Sequence, residues 1–150
     1  MQEHIQNELA SFIANCDWEK IAPHFKEDAA YRVLDWIGCA VAGEHYPQVE
    51  IAQKYFIENG DQGNSTVIGH QTKCSPRTAA FLNGIAGHVC ELDDGHRTAI
   101  GHPGSIAVPT ALALGEHLNA SGADVLKAVI LGYEVFSRLG RTVNPLSLIH

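Results

Sequence analysis

The sequence contains no cluster of lysines and arginines. Its 10 basic residues face 17 acidic ones, for a formal charge of −7. Nucleic-acid binding needs clustered cations against phosphate, so no nucleic-acid partner is expected. One local arginine still suffices for a small anion. No apolar run is long enough to span a bilayer, and the N-terminus lacks a basic-then-apolar signal pattern. A cytoplasmic protein without membrane contact is therefore expected. The four cysteines, Cys16, Cys39, Cys74 and Cys90, show neither zinc-knuckle nor C-x-x-C spacing. This argues against a structural zinc or a redox motif. Cys39, in an apolar run, reads as a small core residue. Also missing are a glycine-rich phosphate loop, a nucleophile elbow, a Walker pattern, internal repeats and low-complexity segments.

What is present suits one domain over residues 1–150, with 45% hydrophobic and 18% charged residues. Ile5, Leu9, Phe12 and Ile13 form one stripe, predicting an amphipathic helix over about 3–15. Residues 16–22 read as a connector, with Trp18 and Ile21 turned back onto the core. Pro23 opens a second helix running to about Ala42. Its apolar residues, among them Leu34, Trp36, Ile37 and Val41, cover most faces and predict a buried central element. Val49, Ala52 and Phe56 mark a third helix, and Thr66-Val67-Ile68 a short extended piece. Ser75-Pro76 caps a helix over about 76–90, in which Gly84 and Gly87 predict close helix–helix contact. Val108, Ala111, Leu112 and Leu118 define a helix over about 105–119, bent or delayed by Pro109. Ser121 and Asp124 form a capping box before a last helix carrying Val125, Leu126, Val129, Tyr133 and Phe136. The tail from Arg141 has no periodicity. The fold class is all-α, with about six helices.

Between the fourth and fifth helices, residues 87–105 crowd His88, Glu91, Asp93, Asp94, His96, Arg97 and His102 into a loop broken by glycine and proline. Rigid helices holding such a loop are a common setting for chemistry. Adjacent Asp93 and Asp94 point in different directions, so one faces the site while the other caps or orients. A carboxylate beside a histidine fixes its tautomer and raises its basicity, as a general base needs. Arg97 offers a fork for a substrate carboxylate, and His102-Pro103-Gly104-Ser105 leads into a helix N-terminus that favours an anion. His88 reads as a last-turn cation or cap. Lys73 and Arg77, flanking the Ser75 cap, read as surface charges. Asp94 with His96, or His96 with His102, matches no tight metal-ligand motif, so no metal is expected. The structural alternative is that the acids cap helices and the histidines are solvated.

Several of these segments closely resemble the MmgE/PrpD family. They are Ser75-Pro76 with Ala79-Ala80-Phe81-Leu82-Asn83-Gly84, Glu91-Leu92-Asp93-Asp94-Gly95-His96, Gly101-His102-Pro103-Gly104 and Gly132-Tyr133-Glu134-Val135. The resemblance runs from about residue 20 to about residue 145. It implies a helical domain and a cofactor-independent lyase or isomerase acting on a small di- or tricarboxylate. The family's activities include 2-methylcitrate dehydratase, cis-aconitate decarboxylase and iminodisuccinate epimerase, none needing a metal or iron–sulfur cluster. It also implies a homodimer, with His102 and an acid of the Glu91–Asp94 run lining the site. On this reading His102 is the acid/base, Asp93 or Asp94 its partner, and Glu91, His96 and Arg97 substrate contacts. The family often has Asp at the position of Glu91 and Thr at that of Gly95. Its members are much longer than this chain, and their helical domain resumes after a second domain. The chain therefore reads as an N-terminal portion without that second domain. It is either completed by a separate C-terminal chain or kept as a non-catalytic helical remnant.

Overall fold

The computed structural model describes residues 2–143, with side chains from His4 onward; the end of the tail expected from Arg141 lies outside them. Six helices form: α1 (Gln2–Ala14), α2 (Pro23–Gly43), α3 (Pro47–Glu58), α4 (Pro76–His88), α5 (Gly104–Leu118) and α6 (Gly122–Val143). A 3-10 turn, Trp18–Lys20, links α1 to α2. Two short strands, β1 (Ser65–Thr66) and β2 (Lys73–Cys74), pair antiparallel with Ser65 opposite Cys74. The class is all-α. The expected extended piece at 66–68 is confined to β1. Among the described residues, no helix is long and apolar enough to cross a membrane.

Prolines at the first helical positions of α2, α3 and α4 start these helices where a missing N–H costs nothing. Ser75 caps α4 by accepting from the Thr78 N–H. Ser121 accepts from the Asp124 N–H at 3.1 Å and donates to its carboxylate at 2.7 Å, so the expected α6 cap forms. Pro109 neither delays α5, which begins five residues earlier, nor stops it. It leaves the Ser105 carbonyl without its helical donor.

α4 is the central element, packed on α2 and on α5. Its glycines do what the sequence predicts. A Cβ on Gly87 would fall 2.4 Å from Trp36 Nε1, and one on Gly84 3.1 Å from the Ser105 carbonyl oxygen. The main core joins Trp36 and Ala40 of α2, Val49 of α3, Ala86 of α4, Val108 of α5 and Val129 of α6. A second cluster gathers Val67, Cys74, Ala79, Leu82 and Ala113. Cys39 is buried, as expected.

Three expectations of burial fail. Ile5, Phe12 and Ile13 of α1 are exposed, Ile5 at 67%. α2 is buried only along Ala29, Trp36, Cys39, Ala40 and Gly43, while Leu34 (66% exposed), Ile37 and Val41 face outward. Leu118, at the end of α5, is also exposed. The cause is shared. Periodicity locates an apolar face, but burial needs a second surface. Among the described residues, α4, α5 and α6 reach only one side of α2.

Candidate functional site

The loop from Val89 to Pro103 leaves α4 and enters α5. It holds its shape through an isolated bridge between His96 and Gly101, with the His96 N–H donating to the Gly101 carbonyl at 2.8 Å. Ile100 N–H closes back on the His96 carbonyl at 2.8 Å, and His96 Nδ1 accepts from the Ala99 N–H at 3.0 Å. His96 thus has a built role in folding the loop. Glu91 (φ +52°) and Ile100 (φ +49°) sit in the left-handed region, which costs about 1–3 kcal/mol each. The surrounding contacts hold them there.

This turn brings Asp93 under two imidazoles. The Asp93 side chain is 1% exposed. His88 Nδ1 lies 3.0 and 3.2 Å from its two oxygens and donates to them, and the Ser105 hydroxyl at the start of α5 also donates to it. His102 Nδ1 lies 3.4 Å from Asp93 Oδ2, yet this buried nitrogen completes no hydrogen bond. The two rings sit 4.9 Å apart, tilted by 59°, and each is partly open to solvent. A buried carboxylate therefore holds one half-exposed imidazole and sits 3.4 Å from a second, an arrangement suited to moving a proton. The same trio offers three metal-ligating atoms within 4.8 Å of one another. His88 and Ser105 also border a groove of about 530 Å³, with Phe81, Ile85, Val89 and Ile106 among its walls. That size suits a small ligand.

Asp94 turns the other way. One oxygen accepts from Arg32 Nη1 at 2.9 Å, the other from the Gly104 N–H at 3.0 Å. The Arg32 guanidinium lies 5.1 Å over the Tyr133 ring. Burial, then the adjoining Asp94 carboxylate, pushes the Tyr133 hydroxyl well above the usual tyrosine range. Asp94 thus pins the N-terminus of α5 to α2, a positioning role, and Tyr133 reaches the loop from its half-buried place on α6. A Cβ on Gly104 would fall 2.5 Å from Asp94 Oδ1 and 2.9 Å from the Tyr133 hydroxyl. Gly104→Ala should therefore destabilise the chain by about 1–3 kcal/mol by urea unfolding, despite alanine's better helix propensity.

Of the residues singled out from the sequence, the fold joins Asp93 with His102. It gives Asp94 and His96 structural partners and leaves Glu91 and Arg97 exposed. It adds three. His88, read as a helix-end cap, is instead a member of the cluster. Ser105 sits where an α5 start is expected, and its hydroxyl carries no distinguishing signal. Arg32 lies 62 residues from Asp94, where its i,i+4 partner Asp28 makes it look like an ordinary surface pair. Lys73 bonds Glu116 and remains a surface charge.

At Gly95 an added Cβ would meet nothing within 4 Å, and its φ is not positive. Gly95→Thr, the residue often found there in the resembling family, should change stability by no more than about 0.5 kcal/mol by thermal unfolding.

A comparison with known families matches the MmgE/PrpD N-terminal domain over residues 7–149. Among curated relatives, a cis-aconitate decarboxylase-like protein of Aspergillus oryzae is 30% identical over 97% of this chain and 32% of its own length. A cis-aconitate decarboxylase of Aspergillus terreus is 31% identical over 97% of the chain and 31% of its own length. Human cis-aconitate decarboxylase is 35% identical over 71% of the chain and 23% of its own length. The chain spans about a third of the two fungal relatives. With the family domain matched along nearly the whole chain, around a buried carboxylate set beneath two imidazoles, this protein belongs to the MmgE/PrpD family.

Proposed function

We propose that this chain carries part or all of an acid–base lyase or isomerase site for a small di- or tricarboxylate, working by proton transfer next to a substrate carboxylate. The observation that carries this reading is Asp93, buried beneath His88 and His102, with His88 also lining the groove. In the proposed step His102 exchanges the substrate proton through the exposed part of its ring, and Asp93 orients the imidazoles. The relatives' names favour cis-aconitate as a substrate. A homodimer, or association with a separate C-terminal chain, belongs to the same proposal.

A second reading is a non-catalytic helical protein that keeps the family core and needs a partner. It is favoured by the outward apolar residues of α2 and by a groove of about 430 Å³ between α5 and α6, lined by Ile106, Leu114, Leu118 and Phe136. The two readings separate in one assay. The purified 150-residue chain and its His102→Ala variant are incubated with cis-aconitate and with 2-methylcitrate, and products are followed by proton NMR. Turnover lost in the variant supports the enzyme. Equal, near-zero rates for both remove the enzyme claim for this chain by itself.

A further inference from the structure

We propose that His88, Asp93 and His102 form a site for a divalent transition metal of the zinc class, and that its occupation is incompatible with proton transfer by the same groups. Tetrahedral zinc with bonds of about 2.0–2.1 Å to nitrogen and oxygen places its ligands roughly 3.3 Å apart. The Asp93 oxygens lie 3.0 Å from His88 Nδ1 and 3.4 Å from His102 Nδ1, and one donor atom from each residue fits within a 4.8 Å span. Little side-chain movement is needed to close on an ion, which takes the place of the proton on His88 Nδ1 as that proton passes to Nε2 or to solvent.

Three further features point the same way. The Asp93 carboxylate is buried and held by the Ser105 hydroxyl, an outer contact of the kind that orients metal-binding carboxylates. His102 Nδ1 is buried, lies 3.4 Å from Asp93 Oδ2 and makes no hydrogen bond, so a metal bound there displaces no existing partner. The His88 and His102 side chains are 48% and 41% exposed, so the cluster lies at the edge of the fold rather than deep in its core. Two imidazoles and one carboxylate favour zinc, cobalt, nickel or copper over magnesium or calcium. The site does not depend on the chain's turning over a substrate. If it does turn over cis-aconitate, zinc should inhibit it.

The test is calorimetric titration of the purified chain with zinc chloride, alongside visible absorption of the cobalt(II)-loaded chain. One ion per chain is expected, with cobalt bands of a four- or five-coordinate site. His102→Gln should weaken binding at least about tenfold. It removes no hydrogen bond that the structure contains, so thermal unfolding should stay close to that of the parent. Asp93→Asn should weaken binding by at least as much. His45→Gln and Cys90→Ser should leave it unchanged. Absence of saturable binding up to about 1 mM, or binding that survives both His102→Gln and Asp93→Asn, overturns the assignment. So does binding abolished by Cys90→Ser.

Discussion

If the chain turns over cis-aconitate as proposed, Asp93→Asn should lower kcat by about 10²–10⁴-fold, the range for losing a positioned acid–base group, with a far smaller change in KM. Asparagine has almost the same shape and still accepts from the Ser105 hydroxyl, so the loop is kept. What disappears is the negative charge that holds His88 Nδ1–H and sits beside His102 Nδ1. Asp93→Ala separates the two roles. It should cost about the same in kcat. It should also cost about 1–3 kcal/mol in urea unfolding, because Ser105 and His88 then lose a buried partner. Asp94→Asn should behave differently. Its partners are Arg32 and the Gly104 N–H, so stability falls more than turnover. If Asp94→Asn abolishes turnover while Asp93→Asn does not, the roles given to these neighbours are reversed.

The loop was legible because its composition breaks with what surrounds it. Seven ionisable side chains and several glycines and prolines between two apolar helices mark a segment with work besides packing. That Asp93 and Asp94 point apart follows from their adjacency, and the structure shows which does what. His88 was hidden because a histidine in the last turn of a helix already has a sufficient explanation in the helix dipole. Only the turn at Glu91, which brings Asp93 back beneath α4, gives it another. Arg32 was hidden for the same kind of reason: Asp28 one turn away accounts for it. The six helices were legible from periodicity and caps, and Gly84 and Gly87 from their cost to helix formation. The exposure of Leu34, Ile37 and Val41 was not, since an apolar stripe does not say whether the surface that covers it is at hand.

Gly43→Ala should be strongly destabilising for the addition of a single methyl. In an isolated helix the substitution favours folding by about 1 kcal/mol. Here the new Cβ would lie 2.0 Å from the Ala86 carbonyl oxygen and 2.8 Å from Val89 Cγ1. The first obstacle is backbone, which no rotamer change can move, so α2 and α4 must part along a seam that also contains Trp36. Overpacking of this kind costs about 1–3 kcal/mol, and a backbone obstacle belongs at the upper end. Gly87→Ala should cost less. Its obstacle is the Trp36 ring, which is 2% exposed but can tilt. The double variant should be destabilised by less than the sum of the two, because helices already parted by the first methyl give room to the second. The seam also bears on the site: Arg32 rides on α2 and His88 ends α4, so parting these helices pulls on the anchors of both Asp94 and Asp93. Urea unfolding of the two single variants and the double variant decides the matter. Strict additivity, or a Gly43→Ala chain as stable as the parent, would show that α2 and α4 do not meet at this distance.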